Sequence, residues 1–118
     1  MAMTTRPQPS DFQAIWERAK AAARSELDRQ RRNPREGSED VYGNAWINAA
    51  PGTSRFARWA IREGHAKKSR DGGVDLLIPK RGSGLLGHEE KIASVFIEVL
   101  RLSAQLADVN LFMHTRID

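Results

Sequence analysis

The chain has 118 residues, of which 40% are hydrophobic and 29% charged, with no cysteine and a formal net charge of +4. That length makes one domain with a core of its own and excludes two. The composition is far from that of a disordered chain. The lack of cysteine excludes a disulfide framework, a thiol nucleophile and a thiolate metal site, and it fits a reducing, cytoplasmic setting.

No apolar run reaches the length of about 18 residues that spans a bilayer, so no membrane partner is expected. The charge is unevenly placed. Residues 53–81 hold a net +5, whereas residues 1–52 hold +1 and residues 82–118 hold −2. A polyanion contact is therefore expected in the central quarter of the chain.

Residues 1–10, polar and with prolines at 7 and 9, read as a flexible N-terminal arm ahead of a single globular domain over 11–118. Ser10 or Asp11 caps a first helix with Phe12, Ile15, Trp16, Ala19, Ala22, Ala23 and Leu27 on one face. Pro34 stops it, and a polar loop runs from Arg35 to Asp40. Val41 to Ala50 reads as a short second helix with Val41, Ala45, Trp46 and Ala49 on one side. Pro51-Gly52 then makes a turn.

Thr53 or Ser54 caps a third helix that Gly64 closes. Its Arg55, Arg58 and Arg62 follow the 3,4 spacing and project from one side. Residues 66–79 read as a β-hairpin turning at Asp71-Gly72, with Val74, Leu76 and Ile78 alternating on the return strand. From His88 a long helix is expected to run to Val109. Ile92, Val95, Val99, Leu102, Leu106 and Val109 lie on heptad positions, and Ile97, Leu100 and Ala104 form a second apolar strip. Two strips imply two neighbours, one of them a second copy in a homodimer. The tail is open to two readings: Val109, Leu111, Met113, Thr115 and Ile117 alternate like a strand, and Met113 also continues the heptad.

The fold class expected is mainly α with a small β-hairpin. The order from Val41 to Leu106 resembles the winged helix-turn-helix of MarR- and PadR-type regulators. The resemblance is carried by Arg55-Phe56-Ala57-Arg58-Trp59-Ala60-Ile61-Arg62-Glu63-Gly64 in the place of the recognition helix. Lys67-Lys68-Ser69-Arg70-Asp71-Gly72 stands in the place of the wing, and Leu77-Ile78-Pro79-Lys80-Arg81-Gly82 follows it. The resemblance implies binding of double-stranded DNA by a dimeric transcriptional regulator. Arg55, Arg58 and Arg62 would reach base edges or phosphates, and Lys67, Lys68 and Arg70 would hold the backbone.

Three other constellations lead to chemistry. Gly82-Ser83-Gly84-Leu85-Leu86-Gly87 matches a phosphate-binding glycine turn between strand and helix. It faintly resembles the pyrophosphate loop of GNAT acetyltransferases, with Arg81 and Gly84 matching, which would make the chain a small nucleotide- or acyl-CoA-binding enzyme. A flexible linker is the simpler reading of these residues. Asp75 with Glu89-Glu90-Lys91 has the spacing of a restriction-endonuclease-type metal site, yet Glu89 to Lys91 read as a helix start. His65, His88 and His114 are too far apart for a zinc motif, so neither a metal nor a cofactor is expected. No nucleophile motif stands out. The expectation is a binding protein rather than an enzyme, with an accessory interaction module of a phage or mobile element as the alternative. Trp16, Trp46 and Trp59 read as core or interface residues.

Overall fold

The computed structural model describes residues 9–33 and 41–118. In chain order they form α1 (Pro9–Arg32), β1 (Gly43–Ala50), α2 (Arg55–Arg62), β2 (Ala66–Lys68) and β3 (Val74–Leu76), then α3 (Leu86–Arg101), a 3-10 turn (Ala104–Leu106) and β4 (Asn110–Ile117). Most of the expected N-terminal arm, and the loop expected over 35–40, lie outside the described residues; residues 9 and 10 already belong to α1.

The segment expected as a second helix, 41–50, is instead mostly the strand β1. Its side chains alternate, with Gly43, Ala45, Ile47 and Ala49 buried and Asn44, Trp46, Asn48 and Ala50 on the other side. The alanines suit a helix in isolation. Two asparagines and a glycine do not, and pairing on both edges with β3 and β4 overrides the weak propensity. With a strand there, no helix precedes α2 across a turn, so the expected helix-turn-helix is not formed.

The four strands make one antiparallel sheet in the order β2-β3-β1-β4. Two β-α-β units are interleaved in it: α2 joins β1 to β2 around β3, and α3 joins β3 to β4 around β1. This is the connectivity of the split β-α-β, ferredoxin-like plan.

α2 and α3 pack on the sheet side that carries Ala45, Ile47, Ala49, Val74, Leu76 and Leu111, and α1 packs on these two helices. The centre of the core is aromatic. Phe12 and Trp16 of α1 meet Phe56 and Trp59 of α2, and Trp16 lies edge-on to Phe96 of α3 at 4.9 Å between ring centroids. Each such fully buried side chain contributes roughly 1.5–3 kcal/mol. Small residues on β1 let α3 come close to the sheet, which is why the strand carries so little bulk.

The hairpin over 66–79 forms, with a longer connection than the two-residue Asp71-Gly72 turn. Residues 69–73 join the strands, and the positive φ values fall on Gly72 (97°) and Gly73 (67°), not on Asp71. Two successive glycines take the left-handed region without a Cβ clash, so the chain uses both of them there.

The last helix is also shorter than expected. It stops at Arg101, a 3-10 turn follows, and the alternating tail is the strand β4 rather than a continuing heptad. α3 packs on α1 and on the sheet, burying Ile92, Ala93, Phe96, Ile97 and Leu100, while Val95 and Val99 of the heptad strip stay half-buried. Leu102, placed on the expected dimer seam, is the C-cap and is 88% exposed. No described helix is long and apolar enough to cross a membrane.

Candidate nucleic-acid interface

Ser54 starts α2 as the sequence implies, its hydroxyl accepting a hydrogen bond from the Ala57 amide at 3.2 Å. Gly64, with φ 77°, ends the helix at its C′ position. Between these caps Phe56, Ala57, Trp59 and Ala60 face the core, which turns Arg58 and Arg62 to the surface and leaves Arg55 half-buried. The arginine face therefore follows from the helix's own apolar spacing.

Strand alternation decides the lysines. Ala66 and Lys68 belong to the helix side of β2, whereas Lys67 lies on the opposite face, level with Asp75 of β3. The six expected contact residues thus do not form one surface. Arg58, Arg62 and Lys68 converge on a groove of about 510 Å³ between α2, the hairpin and the turn Pro51-Gly52-Thr53, over an apolar floor of Ile61 and Val74. Arg55 does not line it, Arg70 lies on the exposed connection, and Lys67 serves the other side of the sheet. Among the described residues no carboxylate forms an ion pair with Arg58, Arg62 or Lys68. Three uncompensated cations around a concave surface give a local positive potential that draws in an anion.

The other face of the sheet carries a second group that the helical reading of 41–50 concealed. Trp46 of β1 and His114 of β4 are opposite one another in register, with rings stacked at 5.5 Å and 18°. Phe112, half-exposed, lies opposite Asn48, whose amide donates to Asp75 Oδ1 at 3.2 Å and to the Gly72 carbonyl at 3.0 Å. Lys80 reaches over β1 and donates to Asn44 Oδ1 at 2.8 Å and to the Ala45 carbonyl. Burial lowers the Lys80 pKa from its ordinary value, with the charge of Glu89 working the other way. The period-two pattern in residues 43–50 and 109–117 was the signal that could have exposed this face.

The remaining constellations are drawn apart. The glycine loop 82–87 is tied to β1: the Gly84 carbonyl accepts from the Gly43 amide at 2.9 Å, and the Leu86 amide donates to the Val41 carbonyl at 2.9 Å. Ser83 Oγ accepts from the Leu85 amide and lies 3.0 Å from His88 Nδ1. Glu89 is buried in the helical layer, where its carboxylate accepts from the Arg81 amide at 2.7 Å. Asp75, on the open face, is on the other side of the sheet from it. His65 is stacked on Trp16 in the core at 4.7 Å, His88 is buried at the start of α3, and His114 is on the open face. Among the described residues no three His, Asp or Glu side chains gather as a metal site. No protein-family model, curated protein or solved structure matches this chain.

Proposed function

We propose that this chain is a small DNA-binding regulator that grips the sugar–phosphate backbone of duplex DNA in the groove between α2 and the β2–β3 hairpin. The observation that carries this reading is the convergence of Arg58, Arg62 and Lys68 with no carboxylate paired to them. A protein that needed these side chains only for solubility gains nothing from gathering them around one concavity. Arg55 and Arg70 extend the cationic surface along the helix and the hairpin tip. With no helix-turn-helix to insert α2 deeply, phosphate contacts dominate base reading, and affinity should exceed sequence preference.

The test is a fluorescence anisotropy titration of a labelled mixed-sequence 20-bp duplex at two salt concentrations. Binding should weaken steeply with salt, and Arg58→Ala/Arg62→Ala/Lys68→Ala should abolish it. Failure of the wild type to bind at low salt overturns the reading.

The apolar floor of Ile61 and Val74 favours a second reading, a small anion with an apolar body. The groove volume lies within the usual range for such sites. A saturable rise in melting temperature with coenzyme A or a nucleoside triphosphate, absent in Arg62→Ala, would establish it in place of DNA.

A further inference from the structure

We infer that the open face of the sheet is a second binding surface, one that takes an unpaired nucleic-acid strand by stacking its bases. Among the described residues no helix packs on this face, because α2 and α3 lie on the other and α1 packs on them; only Lys80 reaches over part of β1. The inner strand β1 and the edge strand β4 carry Trp46, His114 and Phe112 in adjacent register positions, and Phe112 is 49% exposed. Planar side chains on adjoining strands of an uncovered sheet offer stacking partners to bases whose faces are free.

The relief and polarity of the surface fit the same occupant. Two hollows, of about 310 and 410 Å³, share Trp46 and Asp75 as walls. Phe112, His114, Asn48 and Asp71 are among the residues lining the first, and Asn44, Lys67 and Lys80 among those lining the second. Trp46 therefore borders both hollows, with one ring face on His114. Asn44 and Asn48 put amide groups on this face, and Asp75, which accepts from Asn48 through Oδ1, keeps its other lone pairs for an exocyclic amino group. Lys67 on β2 and Arg116 on β4 stand on opposite flanks of the face, where a strand crossing the sheet places its phosphates.

Charge also selects among occupants. A second copy seated face to face would bring a second set of Lys67, Lys80 and Arg116 onto this surface, with Asp75 already engaged by Asn48. A polyanion meets no such repulsion. Duplex DNA is disfavoured here, because its bases are already stacked on one another and present no free faces to Trp46 or Phe112.

This surface is separate from the α2–hairpin groove, and its test separates the two. Labelled 16-nucleotide single strands of mixed sequence, one DNA and one RNA, and the 20-bp duplex are titrated with wild type, Phe112→Ala, Trp46→Ala and the groove triple variant. Phe112→Ala changes an exposed residue and keeps the test valid if Trp46→Ala fails to fold. Each stacking variant should weaken at least one single strand about tenfold or more and leave the duplex unchanged. The groove variant should do the reverse. Tryptophan emission should be quenched by the single strand in wild type and not in Trp46→Ala, since Trp16 and Trp59 are buried. The inference is overturned by any one of three results: no single-strand binding by wild type, wild-type affinity in Phe112→Ala and Trp46→Ala alike, or a dimeric mass that Trp46→Ala converts to monomer.

Discussion

Gly43 is the residue on which the β1–β4 pairing turns. It faces Ile117 in register, and a Cβ built there would stand far inside contact distance of the Arg116 carbonyl oxygen, which is backbone and cannot swing away. Gly43→Ala should therefore destabilise the fold by about 1–3 kcal/mol, as overpacking does. Gly82, with φ 78° and open space around it, makes the control: Gly82→Ala should cost only the left-handed strain of about 1–2 kcal/mol and leave the sheet intact. Urea unfolding measures both, and amide exchange along β4 should rise only in the first. Glu26 supplies a pH dependence. Burial would raise its pKa, but hydrogen bonds from Arg29 and Gln30 and the charges of Arg29 and Lys91 outweigh it, so the net direction is down from 4.5. A carboxylate held lower in the fold than in the unfolded chain contributes stability that is full above pH 4.5 and fades as the pH falls through the folded pKa. Glu26→Gln should thus lower stability at pH 7 by about 1 kcal/mol and flatten the acid limb below pH 4.5. Equal acid limbs in the two proteins would refute this.

At the scale of elements, α3 shows how local spacing reveals an apolar helix without revealing its neighbours. Its two apolar strips are legible in the sequence, but which partner covers each is not. α3 packs on the sheet of the same chain as well as on α1, and a sheet built around 43–50 was hidden by alanines with high helix propensity. Leu102 makes the difference measurable. As an exposed C-cap it should accept Leu102→Glu with a stability change within about 0.5 kcal/mol and no change in mass. Leu100→Ala, two residues earlier and fully buried, should cost about 2–5 kcal/mol. Thermal unfolding and light scattering decide this, and a fall in mass with Leu102→Glu would reinstate the helical dimer. α1, α2 with both its caps, and the hairpin strands were readable because apolar spacing and capping residues act locally. The strand β1 and the end of α3 depend on distant chain, so their sequence signals were ambiguous. The same holds for the site: spacing alone reveals the Arg58 and Arg62 face, while the separation of Lys67 from Lys68 needs β2 to be placed in a sheet.

At the scale of the whole molecule, the basic segment 53–81 is divided by the sheet into two fields that meet at the hairpin. The groove and the first open-face hollow share Ser69 and Gly73, so the two surfaces adjoin around the edge of β2 and β3. Lys67 and Lys68 are neighbours in sequence, identical in charge and both exposed, yet they belong to different fields. Net charge, long-range steering and helical propensity change equally in Lys67→Ala and Lys68→Ala, which makes the pair an internal control for any nonspecific effect. Counterion release gives the expected pattern: removing one cation from a phosphate lowers the slope of log affinity against log salt by about 0.9 on a duplex and about 0.7 on a single strand. Lys68→Ala should reduce the duplex slope by that amount and spare the single-strand slope, and Lys67→Ala should do the opposite. Anisotropy titrations between roughly 50 and 200 mM salt, the range over which phosphate-dominated binding weakens most steeply, provide both slopes. Equal reductions in the two variants on both probes would mean that only the total charge matters and that the division of the basic segment by the sheet has no role in binding.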